Sequence, residues 1–391
     1  MASAAPSDVA RSVYLSTALA MVSYALLIVV LPFRFEALGL SIVEYGLALA
    51  ISALGMLLTE SVWGALAFRI GRPRTLLALG GAVALVLVLL GFSRTFPEVG
   101  LALGAYGALV VFPIPLTRWL ALTAMGPGTG GRGTGRWVVS FGIGLAVGSA
   151  IGPTIYAMWG FLPTIAAALL AFLVSVVVIA RVPWERVDLP ARPPSRGGIR
   201  PILTRHFALC VTLVALAYVA YTLPTNFLQY YSVSVFRGTG AEAGYVIGAY
   251  RGAQMIAGFL LGAVVDRRGP ARSAPFGFLL VAAGAIATLF ASSYAEMAAA
   301  TLLFALGTGW LSAALLPLAL EPVPRALQGA AIGAVGSFED LGLLVGPLVL
   351  SSAYAGLGAE SLFVLVAGIA LAGAAIAAAA RGAGVIGASR A

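Results

Sequence analysis

The chain of 391 residues is 61% hydrophobic and only 9% charged, and it carries a formal net charge of +9. Soluble globular proteins have a charged fraction near 25%, so this composition excludes an ordinary soluble domain and predicts a chain that is solvated by lipid. About 20 apolar residues cross a bilayer core, and twelve such stretches occur here. They lie near residues 11–35, 42–66, 75–93, 98–124, 137–158, 161–181, 205–235, 242–265, 273–292, 295–319, 327–354 and 360–380.

The first stretch is too long for the core of a signal peptide, and a second apolar stretch follows it almost at once. We therefore expect it to be a retained membrane span.

Basic residues are unevenly distributed over the predicted loops. All 23 are arginine, and alternate assignment of the loops places 18 of them on the side that carries both termini. Only Arg34, Arg94 and Arg237 fall in loops on the opposite side. Because cytoplasmic loops retain positive residues, we expect a multi-pass protein of the plasma membrane with both termini in the cytoplasm. Topology thus accounts for the positive charge without a nucleic-acid partner.

Residues 182–204 interrupt the apolar pattern with five prolines, two glycines and several arginines. This composition predicts a cytoplasmic linker between an N-terminal six-helix bundle, 1–181, and a C-terminal six-helix bundle, 205–391. Just after it, His206 begins the seventh span, and the single cysteine, Cys210, lies in an apolar run. We expect an interfacial histidine and a packed thiol rather than a disulfide, metal or catalytic site.

Two motifs repeat across this linker. Matched residues in the loops after the second and eighth spans are 198 positions apart, and a GxxxGP pattern in the fifth and eleventh spans repeats at an offset of 194. Such repetition predicts two related halves. The loop residues are Gly64, Arg69, Gly71 and Arg72 in the first copy and Gly262, Asp266, Arg267 and Gly269 in the second; the GxxxGP residues are Gly148, Gly152 and Pro153 and Gly342, Gly346 and Pro347.

A chain with GxxxDRxGxxR-like loops and GxxxGP spans in two halves resembles the major facilitator superfamily over about residues 11–380. The resemblance implies an all-α integral membrane fold of twelve transmembrane helices in two pseudo-symmetric six-helix bundles, and transport by alternating access. It also implies that the loop motifs hold one conformation closed. Phe68 occupies the position of the expected acid in the first copy, which weakens a charge latch there, whereas Asp266 with Arg267 preserves the second copy.

The GxxxGP pattern has a direct physical meaning. Its proline removes a backbone donor and bends a helix, while its glycines let helices approach closely. In the superfamily such a motif in the fifth span is associated with proton-coupled export. Ile155 and Tyr156 stand here where paired glycines often follow, so the motif favours export only weakly.

Placing an ionisable side chain inside a span costs roughly 2.5 to 3.5 kcal/mol of insertion free energy near the bilayer centre. Arg251 in the eighth span and Glu339 with Asp340 in the eleventh lie at similar depth. We hypothesise a buried, titratable cluster that carries a coupling proton; alternatively Arg251 holds an anionic substrate, or the three form a permanent ion pair. Glu60 and Arg118 are a second candidate pair, unless the arginine extends to the interface.

The seventh span carries a polar stripe, which either bonds to a neighbouring helix or lines a wet cavity. In the superfamily this span lines the central cavity together with spans one, four and ten. We therefore predict a substrate cavity in which Asn226 and Gln229 are the foremost contacts. The full predicted set is Tyr218, Tyr221, Thr222, Thr225, Asn226, Gln229, Tyr24, Tyr250 and Trp310.

Together these patterns predict a secondary active transporter for a small organic solute, with proton-coupled antiport (efflux) as the first choice. Symport or exchange of an organic anion is the alternative, and a non-transporting receptor or a polytopic membrane enzyme is a remote one. No nucleotide-binding, metal-binding or catalytic motif is found in the sequence, so we expect no cofactor, no metal and no enzymatic activity. The expected partners are the solute, protons and the lipid bilayer, and the expected functional state is a monomer.

Overall fold

A computed structural model describes residues 6–70, 73–123, 130–182, 184, 202–324 and 327–386. All the secondary-structure elements in these ranges are helical. Among the described residues, eleven helices are long and apolar enough to cross a membrane, and Phe96–Val110 is a shorter apolar helix. The chain is therefore a multi-pass helical membrane protein, which confirms the prediction from composition.

The first half of the chain contains eight helices within the described ranges. They are α1 Pro6–Ile28, α2 Leu31–Ala37, α3 Ile42–Ile70, α4 Pro73–Phe92, α5 Phe96–Val110, α6 Pro113–Thr123, α7 Gly130–Trp159 and α8 Phe161–Ala180.

The second half contains seven further α-helices and one π-helical segment, again within the described ranges. They are α9 Arg205–Thr222, the π-helical segment Leu223–Phe227, α10 Leu228–Ser234, α11 Gly240–Arg268, α12 Pro270–Leu289, α13 Tyr294–Leu320, α14 Gln328–Leu357 and α15 Ser361–Gly382.

Proline accounts for the interruptions of three predicted spans. The first span breaks between α1 and α2, where Pro32 cannot donate a backbone hydrogen bond; the fourth breaks between α5 and α6 at Pro113. In the seventh span Pro224 lies in the π-helical segment, and the helix continues on either side. Each interruption frees backbone carbonyls inside a span, where other groups must satisfy them.

Contacts divide the chain into two compact units. The first unit comprises Met1–Leu40, Ile51–Pro193 and Gly240–Gly248, and the second comprises Ser41–Ala50, Pro194–Thr239 and Ala249–Ala391. In the first unit α1 packs against α7 and α8; in the second unit α9 packs against α14, while α12 packs against α13 and α15. Two segments, at the starts of α3 and α11, belong to a different unit from the rest of their helices, and we call them the exchanged segments.

The glycines of the GxxxGP motifs let the first helix of each unit approach closely. A Cβ atom at Gly148 would meet the backbone of Val22 and the side chain of Ala25 in α1. At Gly342 it would meet the Ala215 carbonyl and Tyr218 in α9. Because both contacts involve partner backbone, a larger residue has no room at either position.

The prolines of the same motifs contact the exchanged segments. In the second unit Gly46 of α3 lies against the Pro347 carbonyl oxygen, and in the first unit Gly244 of α11 lies against the Pro153 ring. Gly46 and Gly244 are 198 positions apart. The motif therefore provides two different close contacts, its glycines for the first helix of the unit and its proline for an exchanged segment.

Side-chain caps begin three of the helices; those at Ser41 and Thr95 are capping boxes, whereas at Ser293 the carboxylate of Glu296 accepts from the Ser292 N–H instead. Glu44 Oε2 accepts from the Ser41 N–H at 2.7 Å, Glu98 Oε2 accepts from the Thr95 N–H at 3.2 Å, and the Glu296 N–H donates to Ser293 Oγ at 3.2 Å. These contacts satisfy backbone N–H groups that lack a partner in the first helical turn. The caps at Thr95 and Ser293 are 198 positions apart, so the repeat extends to the helix starts.

Candidate functional site

The candidate site lies in the second unit, where α9, α11, α13 and α14 bring polar side chains together. Tyr218 and Tyr221 are one turn apart on α9, and their rings lie 5.7 Å apart. Gly342 of α14 packs closely on α9, and Glu339, three residues earlier on α14, lies on the same side of that helix. Both carboxylates are close enough to Tyr218 to interact with it electrostatically, and Glu339 is within hydrogen-bonding reach of its hydroxyl.

Arg251 of α11 joins this group through a tyrosine. Its Nη1 donates a hydrogen bond to the Tyr221 hydroxyl at 3.1 Å, and the side chain is 5% exposed. Its Nε is buried and makes no hydrogen bond to the part of the chain that the structure describes. The predicted cluster of Arg251, Glu339 and Asp340 is thus connected through Tyr221 and Tyr218.

Tyr250 extends the cluster towards α13. It is fully buried, its hydroxyl lies 3.1 Å from Thr308 Oγ1, and its ring is 6.3 Å from that of Tyr221. The Phe304 ring also lies 6.3 Å from Tyr250. Four helices of one unit therefore contribute to a single network of one arginine, two carboxylates, three tyrosines and one threonine. Arg251, Tyr250, Thr308 and Asp340 are buried, whereas Tyr218, Tyr221 and Glu339 are half-buried.

The first-unit positions that match the three charged residues and the two α9 tyrosines are apolar, and the position that matches Tyr250 is Ser52. The packing of Gly148 on α1 corresponds to that of Gly342 on α9, which matches Ala25 to Tyr218 and Ile28 to Tyr221. The established offsets match Ala53 to Arg251, Leu145 to Glu339 and Ala146 to Asp340.

Ala25 and Leu145 belong to a hydrophobic cluster with Ala20 and Met21. The first unit thus forms the equivalent helix packing with aliphatic side chains, and the fold itself does not require the charges.

The remaining polar residues of the seventh span are buried and bond mainly to backbone. Thr222 Oγ1 donates to the Tyr218 carbonyl, Thr225 Oγ1 to the Tyr221 carbonyl and Gln229 Nε2 to the Thr225 carbonyl. The Asn226 carbonyl accepts from the Tyr45 hydroxyl at 3.1 Å. The π-helical segment thus uses side chains to satisfy carbonyls that the irregular backbone leaves free.

Tyr45 was not predicted from the sequence. It is fully buried, and its ring lies 5.8 Å from Phe227 and 5.4 Å from Tyr230. The pattern gave no signal for this contact, because an aromatic residue near a helix start is ordinary in a membrane protein.

Two predicted cavity residues have other neighbours. Tyr24 belongs to the first unit and stacks on Tyr106, with ring centroids 6.5 Å apart. Trp310 belongs to a hydrophobic cluster with Val265 and Ala314, and its ring contacts Phe276 at 4.8 Å.

Only one copy of the loop motif can be described in full. Gly71 and Arg72 lie outside the described residues, as do the side chains of Glu60, Arg69 and Arg118. In the second copy, Gly269 has φ of +82°, a conformation that favours glycine, and it links α11 to α12. Asp266 and Arg267 are exposed in the last turn of α11.

Comparison with known proteins was made at the level of sequence families and of solved structures. The family model described as Major Facilitator Superfamily matches residues 13–239 and 210–384. A search of curated proteins finds no match.

Solved structures share the fold at low sequence identity. A bacterial homolog of the human lysosomal transporter Spinster, in an inward-facing and occupied conformation, aligns with a TM-score of 0.80 and 14% identity over 97% of this chain and 98% of the other. A POT family transporter in complex with 5-aminolevulinic acid gives 0.78 and 12% over 95% of both chains.

The human organic anion transporter MFSD10 (TETRAN) gives a TM-score of 0.68 and 18% identity over 96% of this chain and 100% of the other. At these identities the structural likeness concerns the fold alone. The sequence-family match, however, covers nearly the whole length, and the chain therefore belongs to the Major Facilitator Superfamily of membrane transporters.

Proposed function

We propose that this protein moves a small organic solute across the membrane by alternating access, as a proton-coupled antiporter that exports the solute. The observation that carries the proposal is the network of Arg251, Glu339 and Asp340, in which Arg251 and Asp340 are buried and Glu339 is half-buried. The counterparts of all three in the first unit are apolar. Charges that a fold does not need and that cost energy in a membrane indicate function.

Proton coupling follows from the balance of charge in this network. Arg251 supplies one positive charge, and Glu339 and Asp340 together supply two negative charges when both are ionised. Uptake of one proton balances the charge, whereas water access to the network favours its release. A cycle that alternately exposes and encloses the network therefore has a reason to bind and release a proton.

We propose the following architecture and membrane topology for the chain. Twelve spans form two six-helix bundles, 1–181 and 205–391, joined by the linker 182–204, in a monomer of the plasma membrane with both termini in the cytoplasm. The second loop motif, with Asp266 and Arg267 exposed at the end of α11, contributes to holding one conformation closed. We also propose that Glu60 pairs with Arg118 and that the first loop motif helps to hold one conformation closed. The helices bend at Pro153 and Pro347 in the same proposal.

The test is transport into sealed proteoliposomes under an imposed pH gradient, with a mixed panel of organic cations and anions. Wild-type flux is expected to follow the pH gradient. In Asp340→Asn and Glu339→Gln the solute still crosses down its own gradient, but the pH gradient no longer drives it, because an amide cannot exchange the proton.

The matched control is Glu360→Gln, which neutralises an exposed carboxyl at the start of α15 in the same half. This variant is expected to retain pH-driven flux. Flux that ignores the pH gradient in the wild type and in every variant contradicts proton coupling.

Symport or exchange of an organic anion is the second candidate, and a specific observation favours it. Arg251 Nε is buried without a hydrogen bond to the described residues, which leaves a donor for a carboxylate beside the Nη1 bond to Tyr221. One protein of similar fold is described as an organic anion transporter.

A further inference from the structure

Each tyrosine hydroxyl of the network has one proton to donate, and the structure shows where two of the three protons go. The Tyr218 hydroxyl lies within hydrogen-bonding reach of Glu339, and an ionised carboxylate only accepts. Thr308 Oγ1 donates to backbone carbonyls of its own helix, at 3.2 and 3.3 Å. Its oxygen is therefore left to accept from the Tyr250 hydroxyl at 3.1 Å.

The Tyr221 hydroxyl differs from the other two. It accepts a hydrogen bond from Arg251 Nη1 at 3.1 Å, so its own proton points elsewhere. None of the residues that the structure describes accepts that proton. The Tyr221 side chain is half-buried, so part of it stays accessible, whereas Tyr250 is fully buried. Tyr221 therefore keeps a donor that a solute can use.

Arg251 places further donors beside this hydroxyl. A guanidinium has five N–H groups, and the hydrogen bond to Tyr221 uses one of them. Its Nε is buried without a hydrogen bond to the described residues, although the side chain is only 5% exposed. A buried donor without an acceptor costs free energy, and a bound acceptor removes that cost.

A carboxylate is the chemical group that fits this pair of donors. Its two oxygens only accept and offer about four lone-pair sites, so one carboxylate can bond to the guanidinium and to the tyrosine hydroxyl together. Hydrogen bonds to a charged acceptor are also stronger than those to a neutral one. A monovalent carboxylate matches the single positive charge of Arg251, whereas a phosphate monoester carries about −1.5 to −2 at pH 7 and is disfavoured by Glu339 and Asp340.

Helix packing does not account for the hydroxyl. The position that matches Tyr221 in the first unit is Ile28, and the one that matches Arg251 is Ala53. The equivalent packing of α1 thus forms without either donor, which indicates that the two donors serve binding.

We propose that Tyr221 is a specificity residue whose hydroxyl donates to a carboxylate of the transported solute, while Arg251 binds the same carboxylate. The inference rests on the proposed transport function and names the class of its solute, an organic monocarboxylate. The hydrogen bond between Arg251 and Tyr221 orients both donors before the solute arrives, which reduces the entropy cost of binding.

Binding to the purified wild-type protein in detergent tests the solute class. The probes are aliphatic and aromatic monocarboxylates, from acetate and butyrate to benzoate, with ethanol, butanol and benzyl alcohol as neutral analogues at equal ionic strength. A ligand of the folded state raises the melting temperature as its concentration rises. At least one carboxylate is expected to stabilise the protein more than its alcohol does, and equal effects of every acid and its alcohol overturn the proposal.

Two replacements of Tyr221 test the role of its proton. Tyr221→Phe removes the whole hydroxyl, whereas O-methyltyrosine at this position keeps the oxygen that accepts from Arg251 and lacks only the proton. Both are expected to weaken carboxylate binding roughly tenfold or more, the effect of losing one charge-assisted hydrogen bond. Wild-type affinity in either variant overturns the proposal, because the hydroxyl would then do no more than hold Arg251.

Tyr354→Phe is the matched control. It removes a tyrosine hydroxyl of α14, fourteen residues beyond Asp340, that lies 3.5 Å from Ser234 Oγ. This variant should bind the carboxylate as the wild type does, and an equal loss here contradicts a specific role of Tyr221.

The binding measurement is independent of transport. If flux follows the pH gradient but no carboxylate binds, the proposed antiport stands and the proposed solute class is wrong. If a carboxylate binds through Tyr221 but flux ignores the pH gradient, the solute class stands and proton coupling is wrong.

Discussion

At the level of single residues, Arg251 illustrates how a membrane interior constrains a charge. The side chain is 5% exposed, and one of its nitrogens bonds to the Tyr221 hydroxyl. A tyrosine hydroxyl satisfies one donor but does not balance the charge. Balance has to come from the neighbouring carboxylates, from a bound anion, or from both in turn.

Substitution of Arg251 distinguishes a role in binding an anionic solute from a role in proton coupling. If Arg251 holds an organic anion, Arg251→Gln abolishes solute binding, and Arg251→Lys weakens it by about tenfold or more, because lysine lacks the bidentate geometry. If Arg251 serves proton coupling alone, Arg251→Gln binds the solute and loses only the pH dependence. Equilibrium binding of the transported solute at two pH values measures both effects.

Arg272→Gln is the control, because it removes an exposed arginine of α12 outside the network. Loss of binding in this variant as well would mean that overall charge, and not the position of Arg251, governs the result.

Single residues also mark the limit of sequence reasoning. The depth of Arg251, Glu339 and Asp340 along their helices could be counted from the sequence, and the structure places them in one network. The role of Tyr221 as the link between them depends on the rotation of α9, which helical spacing alone does not fix. For the same reason the sequence could not indicate that Trp310 packs with Val265.

At the level of helices, the spacing of glycines sets which pairs approach closely. Gly342 packs on the backbone of α9, and Gly148 packs in the same way on α1. The sequence motif predicted close approach and bending but not the partner. In the structure the partner is the first helix of the same unit, and bending at Pro153 and Pro347 stays a prediction.

Gly342→Ala tests this contact. The added methyl group meets the Ala215 carbonyl, and such overpacking costs about 1 to 3 kcal/mol, so we expect a lower melting temperature in detergent. Gly333→Ala on the same helix is the control, since open space surrounds that position and alanine favours the helix by up to about 1 kcal/mol. Equal stabilities of the two variants would contradict the packing role.

The sequence contains part of the information that sets where helices start and where they are interrupted. Each capping box has the pattern of serine or threonine followed three residues later by glutamate, and Thr239 with Glu242 repeats Ser41 with Glu44 at the offset of 198. Pro32, Pro113 and Pro224 likewise mark the three interrupted spans. Whether a proline breaks a helix or produces a π-helical segment depends on packing around it, which the local sequence does not contain.

At the level of the whole molecule, the two units share a packing scheme but differ in polarity. The same glycine contacts support a hydrophobic cluster around Ala25 and Leu145 in the first unit and the charged network in the second. The all-helical membrane fold was predicted from the sequence because the length of apolar stretches is a property of the chain as a whole. The division into two bundles of six spans stays a prediction.

A symmetrised variant tests this difference in polarity between the units. Arg251→Ala, Glu339→Leu and Asp340→Ala together install the residues of the first half. Because replacement of buried charges by apolar groups is often neutral or stabilising by about 1 to 4 kcal/mol, the variant should fold and melt at or above the wild-type temperature while losing transport.

Arg251→Ala alone is the comparison, since it leaves two carboxylates without their cation and should be less stable than the triple variant. A triple variant that fails to fold would assign the network a structural role.

The apolar counterpart of the network has a consequence for how such a chain can evolve. If the halves arose by duplication of one six-helix ancestor, matched positions began with the same residue. The first half, with Ala25, Ile28, Ala53 and Leu145 at these positions, packs its helices with apolar side chains. The second half can then acquire charged residues one substitution at a time, because the tyrosines of α9 provide a polar neighbour for each new charged side chain. Duplication thus allows one half to gain buried charges, which cost stability, while the other half keeps the apolar packing.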